Sequence, residues 1–135
     1  MARNGKKLVL VVDDDKDQQH AFARAFSRHQ EVELLQAYTP SEAITKLERN
    51  IRDIDLVILD EDLGTEQISS PDLAEEILAK GYIGFMISMS LQPKEGRDTR
   101  MLHAGCRESV HKKSAVSLAL DLFRIKRRYG PEDEA

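Results

Sequence analysis

Four places along the chain carry side chains that could do chemistry together: the triplet Asp13-Asp14-Asp15, the single Asp60, the serines Ser88 and Ser90, and the pair Lys112-Lys113. Each stands at or near the end of a short run that reads as a β-strand. Several carboxylates brought to one sheet edge repel each other, at roughly 4 kcal/mol per pair about 4 Å apart in an effective dielectric near 20. A divalent cation relieves that repulsion, and carboxylates, a carbonyl and water are the ligand set of Mg²⁺. A cation held there neutralises charge in the loose transition state of phosphoryl transfer. An aspartate beside it is a candidate nucleophile that forms an aspartyl phosphate. A lysine and a hydroxyl nearby would bind the phosphoryl oxygens.

The elements that must position these groups follow from hydrophobic pattern. Leu8 to Val12 and Leu56 to Leu59 are continuous apolar runs, which suit strands buried on both faces of a parallel sheet. Val32 to Tyr38, Phe85 to Met89 and Glu108 to His111 are further strand candidates. Between them lie helical stripes: Phe22, Ala25, Phe26 and His29; Ala43, Ile44 and Leu47; Leu73, Ile77 and Leu78; Met101 and Leu102. A last helix is expected from about Ser114 to Arg128, with Val116, Ala119, Leu120 and Phe123 on one face. Thr39-Pro40-Ser41-Glu42 and Ser70-Pro71-Asp72 are helix starts, and Gly81 and Gly105 stand where helices should end. Five βα units predict an α/β fold: a five-stranded parallel sheet, doubly wound, with right-handed crossovers. Ligands of such sheets sit outside the carboxyl ends of the strands, at the topological switch point.

Composition narrows the function classes. The 135 residues carry 20 Lys plus Arg against 24 Asp plus Glu, a net charge of −4, which opposes nucleic-acid binding as a main role. The single Cys106 allows neither an internal disulfide nor a zinc site, and a reducing cytoplasm is expected. The apolar run after the basic N-terminus has only five residues, too few for a signal peptide or a membrane span. The loop after the first strand is acidic rather than glycine-rich, which opposes a phosphate-bearing cofactor, such as a flavin, held without metal.

Taken in order, Val11-Val12-Asp13-Asp14-Asp15, Asp55-Leu56-Val57-Ile58-Leu59-Asp60, the stretch Gly81 to Ser90, Ala104-Gly105-Cys106-Arg107-Glu108 and Lys112 resemble the receiver domain of two-component response regulators. The resemblance covers about residues 7–128. It implies a flavodoxin-like (βα)5 fold with strand order 2-1-3-4-5. It implies Asp60 as phosphoacceptor and Asp13 and Asp14 as the acidic pair for Mg²⁺, with Asp14 the direct ligand. The backbone carbonyl of Asp62 is the further protein ligand, beside Asp60 itself. Lys112 is the implied phosphoryl-binding lysine. The implied switch hydroxyl is Ser90, which stands 30 residues after Asp60 and 22 before Lys112, with Ser88 as the alternative. The family's partners are a histidine kinase or a histidine phosphotransfer protein, and its members are signalling domains rather than enzymes.

The chain departs from that family at several positions. Leu91 follows the switch hydroxyl where alanine or glycine is usual, and its bulk would slow phosphotransfer or shield the phosphoryl group. Ser109 replaces the usual aromatic of the fifth strand, so the family's aromatic rotation is not expected in its usual form. Lys113 replaces a proline. The loop 61–70 lacks a proline, is longer than typical, and adds Asp62 and Glu66 near the pocket. These changes leave the catalytic set intact and make the switch atypical; a docking module with little phosphorylation control is the alternative.

Other features read structurally. Asp15 is expected to cap a helix, Cys106 to pack, and Lys126-Arg127-Arg128 to complement a helix C-terminus. The four histidines share no ligand spacing. Residues 1–6 are expected as an extension, 7–129 as the receiver domain, and 130–135 as a disordered tail. The last helix carries a second apolar stripe, Ala115, Leu118, Leu122 and Ile125. It either widens the buried face or meets a target protein or second copy. With no output domain expected after the last helix, output is expected through protein contacts.

Overall fold

The computed structural model describes residues 5–63, 68–91 and 96–126. The expected tail 130–135, Arg127, Arg128, Glu66 and residues 1–4 of the expected extension lie outside them. Strands and helices alternate: β1 (Lys7–Val12), α1 (Lys16–Ser27), β2 (Val32–Ala37), α2 (Pro40–Asn50), β3 (Ile54–Asp60), α3 (Ser70–Ala79), β4 (Phe85–Ser90), α4 (Arg97–His103), β5 (Glu108–His111) and α5 (Lys112–Leu122). All pairings are parallel, in the order β2-β1-β3-β4-β5. This is the expected doubly wound, flavodoxin-like arrangement.

Alternation along each strand divides the core between two faces. Leu8, Leu10 and Val12 of β1 join Val57 and Leu59 of β3 beneath α2, α3 and α4, which contribute Leu47, Leu73, Ile77 and Met101. Val9 and Val11 join Leu56 and Ile58 on the other face, against Phe22 and Phe26 of α1 and Ala119 and Leu120 of α5. A register shift between Leu8 and Val9 re-phases β1 against β3, and the Asp55 carboxylate there accepts the Leu8 N–H at 2.9 Å. Cys106 packs in the first core, as expected.

The helix starts obey local chemistry. The Asp15 carboxylate accepts from the N–H groups of Asp17 and Gln18, the cap expected of it. Thr39 caps α2 through Glu42 N–H, and the Glu42 carboxylate returns to Tyr38 N–H at 2.7 Å. Helix α3 starts one residue earlier than its sequence signal suggested. Ser69 is the cap, and the Ser70 hydroxyl instead donates to the Asp60 carbonyl at 2.7 Å. Gly81 (φ 97°) and Gly105 (φ 119°) end α3 and α4 in the left-handed region.

The last helix corrects the expectation of Ser114 to Arg128: α5 begins at Lys112 and ends at Leu122. The His111 side chain supplies the cap by accepting the Lys113 N–H at 3.1 Å, so no proline is needed to start it. Ala115 of the supposed second stripe is fully buried, and Leu118, Leu122 and Ile125 pack partly buried against the second core. The stripe thus packs on the second core, while Leu118, Leu122 and Ile125 keep part of their surface exposed. Among the described residues no helix is long and apolar enough to cross a membrane.

Candidate functional site

The chain runs from β1 leftward to β2 and then crosses to β3, so the crevice of the open sheet lies at the carboxyl ends of β1 and β3. Asp13 follows β1 there, and Asp60 ends β3. Both carboxylates are buried, at 0% and 3% exposure. Asp13 is held by its own turn, accepting the Asp15 N–H at 2.9 Å, and Asp60 by the Asp62 N–H at 3.0 Å. These are Asx-type turns that aim each carboxylate across the sheet edge. Lys112, the first residue of α5, reaches over from β5. Its ammonium lies 2.8 Å from Asp13 Oδ2 and 3.3 Å from Asp60 Oδ2.

Asp14 is exposed, and one oxygen from each of Asp13, Asp14 and Asp60 falls within 4.8 Å of the others. One ammonium among three carboxylates leaves an excess of negative charge. Burial first, and then the Asp13 charge, push the Asp60 carboxyl up to about 7, against the downward pull of Asp62 N–H and Lys112. The Lys112 ammonium pKa is depressed by burial, but its bonds and charges with Asp13 and Asp60 outweigh that and raise it overall. Lys112 therefore stays charged. A cavity of about 370 Å³ opens over these groups, lined by Asp14, Asp15, Asp60, Asp62, Ser90, Leu91 and Lys112.

A search of solved structures supplies the comparison. A receiver domain protein (CheY-like) from Methanospirillum hungatei superposes with TM-score 0.73 at 19% identity, over 88% of this chain and 91% of that one. A CheX–CheY–BeF₃–Mg²⁺ complex from Borrelia burgdorferi gives 0.74 at 19%, over 87% and 89%. The receiver domain of a NarL from Mycobacterium tuberculosis gives 0.75 at 17%, over 90% and 98%. No family model matches the sequence, and no curated protein matches it. The chain has the fold of a response-regulator receiver domain.

On that receiver fold, the residues singled out in the sequence converge. Asp13, Asp14, Asp60 and Lys112 surround one centre, and Asp62, Ser90 and Leu91 line the cavity above it. Leu91 is 45% exposed, at the mouth. The two serine candidates separate: Ser90 faces the cavity, whereas Ser88 is fully buried and donates to the Glu61 carboxylate at 2.9 Å. Ser109 donates to the same Glu61 oxygen. The fit to a cation rests on the donor set: three carboxylates of hard oxygen, two buried and one open to water, in mutual reach.

Two neighbours of the site escaped sequence reading. Gln19 is fully buried on α1, and its amide donates to the carbonyls of Val11, Asp13 and Ala37 at 3.0–3.2 Å. It fixes the backbone that carries Asp13, and is itself engaged by the Gln36 amide at 2.8 Å. The signal was a polar residue at the i−3 position from Phe22 on an otherwise apolar helix face. Glu61 is 2% exposed directly after Asp60; the signal was the pair of serines on two neighbouring strands where apolar side chains are ordinary.

Proposed function

We propose that the chain is a response regulator whose receiver unit, residues 7–129, accepts a phosphoryl group on Asp60. The donor is a histidine kinase or a histidine phosphotransfer protein. A carboxylate oxygen of Asp60 forms the new P–O bond as the P–N bond to the donor imidazole breaks, and the electron pair leaves on that nitrogen. Asp13, Asp14, Asp60 and the Asp62 carbonyl would hold Mg²⁺, which would neutralise the transferring group and favour the ionised form of Asp60. Lys112 then exchanges its carboxylate partner for a phosphoryl oxygen, and Ser90 closes on another. The chain is no enzyme beyond its own phosphorylation and dephosphorylation, acts in the cytoplasm and signals through protein contacts.

The observation that carries this reading is the placement of the Lys112 ammonium between Asp13 and Asp60, 2.8 and 3.3 Å away, at the switch point of the sheet. A buried lysine bridging two carboxylates is poised for partner exchange, and the excess negative charge beside it suits a cation. Treatment with acetyl phosphate and Mg²⁺ is expected to add one phosphoryl group by intact-mass spectrometry, and Asp60→Asn is expected to abolish it. An unmodified wild-type mass, together with an amide spectrum unmoved by BeF₃⁻ and Mg²⁺, rejects the reading. A second reading, a docking module with little phosphorylation control, is favoured by Ser109, whose hydroxyl is tied to Glu61 rather than standing in for a rotating aromatic. Under it, partner affinity is the same with and without BeF₃⁻ and in Asp60→Asn.

A further inference from the structure

Three residues that look unrelated in sequence form one buried network beside the site. Glu61 follows the acceptor position on the chain, Ser88 is on β4 and Ser109 on β5. Ser88 and Ser109 are register partners, so their side chains leave the same face of adjacent strands about 5 Å apart. One oxygen of Glu61, Oε1, accepts from both hydroxyls. The Glu61 N–H also donates to the Met89 carbonyl at 2.8 Å, extending the β3–β4 pairing one residue past the strand. Cys106 completes the cluster: burial, then the Glu61 charge, push its thiol up to about 12, while a hydrogen bond with Ser88 opposes them. A carboxylate buried at 2% exposure is costly unless its lone pairs are met, and here the sheet itself meets them.

The consequence falls on the next residue. Asp62 has two jobs in the proposed function: its N–H already orients the Asp60 carboxylate, and its carbonyl is a cation ligand. Asp62 itself is exposed, and residues 64–67 lie outside the described part of the chain. Among the described residues the segment is anchored before Asp62 at Glu61 and after it by the Ser70 hydroxyl, which accepts the Leu63 N–H at 3.4 Å. We infer that Glu61 is a positioning residue for the acceptor site: clamped by Ser88 and Ser109 of β4 and β5, it holds the Asp60–Asp62 segment in the geometry that binds the cation. This rests on the reading of Asp60 and Asp62 given above.

The test is Mg²⁺ affinity of the folded protein, read from amide chemical shifts, with thermal unfolding measured separately. Outer groups that orient ligands typically contribute 10–100-fold in metal affinity. Glu61→Ala is expected to weaken Mg²⁺ about tenfold. Glu61→Gln keeps an acceptor oxygen for both serines and is expected to stay within about threefold. Ser88→Ala/Ser109→Ala should fall between them. The triple variant Glu61→Ala/Ser88→Ala/Ser109→Ala leaves no orphaned hydroxyl, so it serves if Glu61→Ala alone does not fold, and should be no weaker than Glu61→Ala. Affinity within twofold of wild type in the alanine variants, with only the melting temperature lowered, overturns the inference. So does a loss in Glu61→Gln equal to that in Glu61→Ala, which would trace the effect to charge. Wild type and Asp60→Asn distinguish the two levels. A wild type that takes up no Mg²⁺ rejects the proposed function and this inference with it, whereas a responsive wild type whose Glu61→Ala variant binds Mg²⁺ as tightly rejects the inference alone.

Discussion

Two carboxylates flank Asp60 at nearly equal burial, Asp13 toward β1 at 0% exposure and Glu61 toward β4 and β5 at 2%, and the fold satisfies them in opposite ways. Asp13 has a turn N–H and a long lysine side chain. Glu61 has two short hydroxyls fixed to neighbouring strands. A lysine ammonium on a four-carbon stem can change partners with little backbone motion. Serine hydroxyls in register on a sheet cannot, because their positions are those of the strands. The same kind of buried charge is thus exchangeable on one side of Asp60 and clamped on the other. Chemistry belongs to the exchangeable side and geometry to the clamped one.

The sharpest way to break this contrast is to remove the exchangeable partner. Lys112→Met leaves Asp13 and Asp60 buried together without a cation. Loss of one partner from a buried ion pair costs about 3–5 kcal/mol. The expected outcome at pH 8 without metal is a loss of stability of that size in urea denaturation, partly restored by Mg²⁺. If the clamp were equally exchangeable, Glu61→Ala would show the same rescue; binding Mg²⁺ more weakly, it is expected to gain less from Mg²⁺ than wild type does.

Asp60 itself supplies the next largest effect. Its carboxyl is raised from 3.8 to about 7, first by burial and then by Asp13. A raised acid is fully compatible with the fold below the unfolded-state pKa. Its contribution is lost as pH rises from about 4 through about 7, where the folded site must hold the charge. Raising a carboxyl from 3.8 to about 7 corresponds to about 4 kcal/mol. The raised value already contains the attraction of Lys112, so Asp60→Asn, which stands in for the protonated acid, escapes that loss. The metal-free variant is therefore expected to be about 4 kcal/mol more stable than wild type at pH 8 and no more stable at pH 4. Chemical denaturation at both pH values reads this directly, and a difference independent of pH would place the strain elsewhere.

The exchangeable side was legible in the sequence, and the clamp was not. Asp13, Asp14, Asp60 and Lys112 lie at strand ends, and strand ends follow from apolar runs such as Leu8 to Val12 and Leu56 to Leu59. Once the parallel sheet is inferred, its carboxyl edge collects them. The clamp depends on register instead. That Ser88 faces Ser109 is set by the pairing of β4 with β5, and no spacing along the chain encodes it. Gln19 was hidden for a related reason: its partners are backbone carbonyls of β1 and β2, which carry no residue signature. The end of α5 was overestimated because the apolar pattern continues to Ile125 beyond the last helical turn, where Ile125 packs while its N–H closes back on Leu120 at 2.9 Å. Arg124 turns into the left-handed region there, at φ 57°, and hydrophobic periodicity does not register such a turn.

Leu91 tests the contrast at its mildest point, because it belongs to neither carboxylate. It follows Ser90 at the end of β4, lines the cavity over Asp60 and is 45% exposed, so its side chain stands at the entrance rather than in the core. Under the proposed function, bulk there screens Asp60 from small reactants, whether a phosphodonor or the attacking water of dephosphorylation. Leu91→Ala removes about three carbons from a half-solvated position, where little packing is lost, and stability should change by less than about 1 kcal/mol. The rate of phosphorylation by acetyl phosphate and the rate of dephosphorylation should then both rise a few-fold, with Mg²⁺ affinity unchanged, since no ligand is touched. A rise in one rate alone would mean that Leu91 shapes the orientation of one reactant. A fall in Mg²⁺ affinity would mean that the end of β4 is coupled to the cation site more tightly than the clamp at Glu61 requires.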